Sequence, residues 1–221
     1  MERATAGPDP AGARCRRRGR RALWLALLAV APLLAACPKP GSPTASAGGS
    51  TLTHQVTLRE GGRVVALDGD VTYGTAKELL RLIKENPQVS EIHLTSDGGL
   101  VHPALAVANA IQLRRATVFV PESCISACTL LFLGGARRYV APEAELGFHR
   151  AFSNLDAPET AGTRLTNEQI RRRLLERGVS ADFAAHVLAT PGSEVWYPTT
   201  EEMIAAGVVH AVATAGALPQ E

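Results

Sequence analysis

An α/β fold with a mainly parallel sheet, flanking helices and a helical insertion is the class this sequence predicts, and three observations carry it. Apolar runs such as "ATVFV" are short and continuous rather than alternating, as strands buried on both faces are. They are separated by stretches of helical period, which is how parallel strands are connected. After "RRYVAPEAELGFHR" the strand signal stops and two consecutive helical patterns follow, which reads as an insertion.

Taken in order, "HQVTLREGGRVVALDGDV" gives two strands about a Glu60-Gly61-Gly62 turn. The stretch "TAKELLRLIKENP" places Ala76, Leu79, Leu80 and Ile83 on one helical face and ends at Pro87. A strand, "SEIHLTS", leads through the tight turn Asp97-Gly98-Gly99 into "LVHPALAVANAIQL". That helix should turn Val101, Leu105, Ala108 and Ile111 inward, with Pro103 tolerated in its first turn. "ATVFV" is the next strand, and "SACTLLFLGG" a helix stopped by glycines. Two short strands follow in "RRYVAPEAELGFHR". Thr166, three residues before Gln169, has the spacing of a capping box for a helix that stops at Gly178, and Ser180 caps a second helix running to Pro191. The end, "TTEEMIAAGVVHAVAT", is a helix handing over to a last strand.

The first 36 residues differ from the rest. An arginine block precedes the apolar run Ala22 to Ala36, which is too short and interrupted for a stable membrane span and has the form of an export signal. Its end, "LAAC", resembles the lipobox of bacterial lipoproteins, which implies cleavage before Cys37 and lipidation of that cysteine. Ordinary signal cleavage at a small-residue site is the alternative, and Arg20-Arg21 also fits a twin-arginine signal. Residues 37–50, rich in Pro, Gly, Ser and Ala, cannot bury a core and form a tether. The domain then spans 51–217, with 218–221 as a tail. The expected location is the bacterial cell envelope, lipid-anchored on the periplasmic or outer-surface side.

Removal of residues 1–36 takes seven arginines and two acids, so 16 basic face 19 acidic side chains and the net charge changes from +2 to −3. A basic stripe for nucleic acid therefore has no support in the folded part. Of four cysteines, Cys15 leaves with the signal, Cys37 takes the lipid, and Cys124 and Cys128 remain as a pair in an oxidising compartment. If both lie on a helix one turn apart, their Cα atoms stand about 6 Å apart, within disulfide range. The loop closed is tiny, so the bond's use would be local, holding the turn around Ser126. Two packed thiols are the other reading.

Two places have reactive geometry. At Asp97-Gly98-Gly99, glycines bring backbone N–H groups close to a ligand, although a tight turn alone would look the same. Ser126 starts a helix after a short strand, where a side chain projects at the sheet edge and the next N–H can face an oxyanion. A serine there is also an ordinary helix cap.

The order of five segments resembles the Clp protease proteolytic subunit within the crotonase-like superfamily, over roughly Val64 to Val212. These are "LDGDV", then "TSDGG" for the family's Ser-Pro-Gly-Gly turn, "CISAC" for Ala-Ala-Ser-Met-Gly, "APEAELGFHR" for the segment with the catalytic histidine, and "TTEEMIAAGVVH" for the last helix and strand. The resemblance implies a serine peptidase acting on small or unfolded polypeptides through an acyl-enzyme. Ser126 would be the nucleophile, His149 the general base, and Gly99 and Ala127 the oxyanion donors. Glu194, the only carboxylate in "TPGSEVWYP", matches the family's third member with a one-residue shift. It is equally a solvated loop acid. Asp97 replaces the family proline, so the groove, the ring interfaces and the ATP-driven unfoldase do not transfer, and homo-oligomerisation stays open.

Lys39, Lys77 and Lys84, the only mature lysines, lie far from a base position, which disfavours the serine–lysine chemistry of signal peptide peptidases. Acyl-CoA chemistry on the same fold is disfavoured by export, and a non-catalytic binding or scaffold lipoprotein remains the alternative. His93, His102, His186 and His210 show no metal-ligand spacing, and no cofactor is called for; His102 is the reserve base. Arg171 to Arg173 read as a solvated helix face.

Overall fold

The computed structural model describes residues 54–153 and 159–218. The export signal, Cys37, the tether and residues 219–221 lie outside the described residues. Strands β1 (His54–Arg59) and β2 (Val64–Gly69) form the hairpin about Glu60–Gly62, a 3-10 turn in which Gly61 takes φ +64°. Helix α1 (Tyr73–Glu85) begins at Thr72, whose hydroxyl accepts from the Thr75 N–H. There follow β3 (Glu91–Thr95), α2 (Val101–Arg114), β4 (Thr117–Val120), β5 (Ser123–Ile125), α3 (Ala127–Phe132), β6 (Arg137–Val140) and β7 (Glu145–Gly147). Helices α4 (Ala161–Glu176), α5 (Ala181–Ala189) and α6 (Thr200–Ala205) precede the two-residue strand β8 (Ala211–Val212).

The main sheet has the order β1-β2-β3-β4-β6-β8, antiparallel only between β1 and β2. The expected mainly parallel, helix-flanked sheet is present. Strands β2, β3 and β4 are buried on both faces, which is why β4 and the first half of β2 run apolar without a break, whereas β3 buries the polar Glu91 and His93 between its apolar residues. Val65, Leu67, Ile92, Leu94, Val118 and Val120 belong to one core with Leu79 of α1, Ile111 of α2 and Leu131 of α3. On the opposite face Phe119, Tyr139 and Leu218 form a smaller cluster. Leu218, assigned from sequence to the tail, is thus part of the packed domain. A second sheet pairs β5 with β7 in parallel.

Several expectations need correction. On α2 the fully buried residues are Pro103, Ala104, Val107, Ala108 and Ile111, while Val101 and Leu105 are only partly covered. On α1, Leu82 takes the buried place expected for Leu80. Helix α4 starts at the Thr160 cap, whose hydroxyl accepts from the Thr163 N–H; Thr166 is interior and donates to the Gly162 carbonyl. A mid-helix threonine satisfied by the preceding turn does not mark a helix start. Arg173 is not on a solvated face either: it is buried and donates to Asn109 Oδ1 and Gln112 Oε1 of α2. The cap at Ser180 starts α5 where the sequence places it, and α6 begins at Thr199, which forms a full capping box with Glu202 that the sequence reading did not single out.

Candidate active site

The smaller sheet is the frame of the site. Ser96, just after β3, bridges to Cys124 of β5: its N–H donates to the Ser123 carbonyl at 3.0 Å, and its own carbonyl accepts from Ile125 at 2.9 Å. On the other side β5 pairs with β7, and beyond β7 Phe148 exchanges two 2.9 Å hydrogen bonds with Trp196. Four chain segments far apart in sequence are therefore stitched edge to edge. They carry the glycine turn, the serine, the histidine and the loop before α6.

Ser126 joins β5 to α3 at φ +55°, ψ −122°. That is the first central position of a type II′ turn, a conformation glycine dominates because a Cβ is crowded there. The sharp reversal is anchored by the Ser126 N–H, which donates to the Gly147 carbonyl at 2.8 Å, and by the Thr129 hydroxyl, which donates to the Ser126 carbonyl at 2.7 Å. The serine is the residue before the helix, yet its side chain makes no capping hydrogen bond. The ordinary reason for a serine at this position is therefore not the one operating here.

The glycine turn fits against this reversal. Gly98 has φ +106°, and a Cβ on it would stand 2.7 Å from both the Ile125 carbonyl oxygen and Ser126 Cβ. Gly99, at φ +136°, would run a Cβ into the Val71 carbonyl. The Gly98 N–H is taken up by Ser96 Oγ at 3.1 Å, and its carbonyl accepts from Val71 at 2.7 Å. The next N–H, that of exposed Gly99, has no hydrogen-bond partner among the described residues, and the same holds for the Ala127 N–H at the first position of α3. These are the two N–H groups for which the resemblance implies an oxyanion-binding role.

His149, half-buried, lines with Ser126 one cavity of about 20 Å³. Its Nδ1 lies 2.8 Å from the Arg150 carbonyl oxygen. A carbonyl only accepts, so Nδ1 carries the proton and the neutral ring keeps Nε2 as its basic nitrogen. Phe152 packs against the imidazole, with ring centroids 5.6 Å apart. No Ser126–His149 hydrogen bond is drawn among the described residues.

Glu194 is elsewhere. It is exposed and lines a separate depression with His186 and Trp196, and no hydrogen bond joins it to His149 among the described residues. The Phe148–Trp196 bridge explains this: alternation along an extended segment puts Val195, not Glu194, on the face His149 occupies. The one-residue shift in the match inverts the side-chain direction.

Cys124 and Cys128 are bonded, with Cα atoms 5.2 Å apart. The geometry differs from the helical turn expected, since Cys124 belongs to β5 and Cys128 to α3. The bond crosses the reversal at Ser126 rather than lying along a helix. His102 sits exposed at the start of α2, in a larger depression with Gly99. Among the described residues no group of three or more His, Cys, Asp or Glu side chains is placed to hold a metal, and no helix is long and apolar enough to cross a membrane.

No family model and no curated protein matches the chain. Among solved structures, a ClpP1 mutant from Listeria monocytogenes superposes with a TM-score of 0.58 at 18% identity, covering 69% of this chain and 92% of that one. The likeness is one of fold.

Proposed function

We propose that this protein is an envelope-tethered serine hydrolase of the peptidase type, held to the membrane by a lipid on Cys37 and active without an unfoldase. The observation that carries the reading is the conformation of Ser126. A non-glycine residue is held in a glycine-type turn, its hydroxyl is released from capping, and it opens on the same cavity as a histidine with a free Nε2. Strain kept at one residue by a hydrogen-bonded and disulfide-linked surround is typical of functional positions.

In the reaction Ser126 Oγ attacks a peptide carbonyl carbon as His149 Nε2 takes its proton. The N–H groups of Gly99 and Ala127 donate to the oxyanion that forms. Collapse breaks the C–N bond, and the proton on Nε2 goes to the departing amine. Water, deprotonated by the same nitrogen, then attacks the ester carbonyl; the C–O bond to Ser126 breaks, the acid product leaves and the proton returns from Nε2 to Oγ. The Arg150 carbonyl does the orienting work that a carboxylate does in a triad: it fixes the tautomer and the ring plane. It carries no full charge, so it stabilises the imidazolium less. The disulfide holds the reversal that aims Ser126 and the Ala127 N–H.

A non-catalytic binding role is the second reading, favoured by the lack, among the described residues, of a carboxylate hydrogen-bonded to His149. A fluorophosphonate probe and fluorogenic peptides separate the two. Labelling and hydrolysis should be lost in Ser126→Ala, and hydrolysis in His149→Ala, each alone removing most activity because the pair acts as a unit. Labelling that survives Ser126→Ala, or its absence in the parent, sinks the hydrolase reading.

A further inference from the structure

The cavity that Ser126 and His149 share is walled by Val101, Ala127, Leu130, Ala151 and Ile170, with Thr129. Its volume is about 20 Å³, small beside the adjoining depression of about 580 Å³. The space is therefore sized for a small side chain. Its polarity is equally limited. Apart from Ser126 and His149 themselves, the one polar side chain in the wall is Thr129, whose hydroxyl is committed to the Ser126 carbonyl, so the rest of the lining is aliphatic. The two side chains that close it come from different helices, Leu130 at 3% and Ile170 at 5% exposure, and both belong to the core. Neither can swing aside without unpacking α3 or α4.

Resting on the reading of Ser126 as nucleophile, we infer that the enzyme is selective for substrates whose scissile carbonyl belongs to glycine or alanine, and that Ile170 sets this limit. The acyl residue must place its side chain within reach of the Oγ and the oxyanion donors, and the cavity touching Ser126, Ala127 and His149 is where it goes. Bulk is tolerated next door. Val101 and Ala151 also border an open depression of about 580 Å³, which includes Leu100, Phe152 and Leu165, all exposed apolar side chains. The substrate is thus a peptide with a small residue at the cleaved bond and larger, partly apolar residues beside it.

The test uses the full chain in detergent and peptidyl phosphonate esters that differ only in the residue mimicking the acyl group: glycine, alanine, leucine or phenylalanine. A small alkyl fluorophosphonate with no side chain serves as reference. Glycine and alanine probes should label Ser126 at least about tenfold faster than leucine and phenylalanine, the scale on which one surplus methylene is discriminated in an apolar pocket. In Ile170→Ala the leucine probe should gain about tenfold relative to the alanine probe; in Ile170→Phe alanine should lose to glycine by a similar factor. Reference labelling of each variant reports that it is folded, and Ile170→Val gives a milder opening if the alanine variant is not. Leucine or phenylalanine labelling as fast as alanine in the parent overturns the size limit while leaving the nucleophile in place. Failure of the reference probe to label the parent overturns the nucleophile itself, and the size limit with it.

Discussion

Replacing Ser126 by glycine should make the protein more stable than replacing it by alanine, the reverse of the usual order. The two variants differ from the parent in one shared respect, the loss of a hydroxyl that makes no capping bond, so that loss cancels in the comparison. Both keep the backbone bonds from the Ser126 N–H to Gly147 and from the Thr129 hydroxyl to the Ser126 carbonyl. What remains is the backbone. A residue with a Cβ held at φ +55°, ψ −122° stores strain of about 1–3 kcal/mol, which glycine relieves. Against this, glycine gives up more chain entropy on folding, about 0.5–1 kcal/mol relative to alanine. The balance favours glycine by about 1 kcal/mol, or roughly 2–4 °C in melting temperature for a domain of this size. Urea and thermal unfolding of the two inactive variants measure it directly. An alanine variant as stable as the glycine variant, or more so, would mean that Ser126 is unstrained, and the argument that the surround holds a functional serine in place would fail.

Glu194→Gln should leave peptide hydrolysis within about twofold of the parent, as for a surface change outside the site; a loss of a hundredfold would show that Glu194 does orient His149. Mass spectrometry of the non-reduced, alkylated protein should find Cys124 and Cys128 unmodified. The double change Cys124→Ala with Cys128→Ala should slow labelling of Ser126 while costing only about 2 kcal/mol of chain-entropy stabilisation, given the short loop. Unchanged labelling removes the positioning role. Burial lowers the pKa of His93 below its ordinary 6.5, against the opposing pull of Glu91. The unfolded chain therefore binds more protons in the window between the lowered value and 6.5, so this contribution is whole above 6.5 and is lost as pH falls through the folded value. His93→Gln should flatten the stability slope between neutral and mildly acidic pH; an unchanged slope assigns it to other groups. Cys37→Ser should release the protein from the membrane fraction or leave it as an unprocessed, larger precursor, and retention at the mature size would refute the lipid anchor.

The alternation of strands and helices, apart from the short β5, the Glu60-Gly61-Gly62 turn and the cap at Ser180 were determined by the sequence alone. Each rests on neighbours within a few residues: a run buried on both faces, a glycine, a hydroxyl three residues before an N–H. Of the candidate site, Ser126, Ala127 and His149, singled out through the resemblance carried by the order of short segments, do come to line one cavity. Tertiary structure decided what local spacing does not contain. Whether a residue of "TPGSEVWYP" faces His149 depends on the Phe148–Trp196 pairing, and one step of register turns Glu194 away and Val195 toward the histidine. The disulfide's character likewise depends on where β5 ends and α3 begins, so spacing alone suggested a helical turn where the chain reverses instead. Arg173, in a run of three arginines, is drawn inward by Asn109 and Gln112 more than sixty residues earlier. The cavity beside Ser126 is lined by Ile170 of α4 and Leu130 of α3, brought together from elements whose separate patterns say only that each residue is apolar.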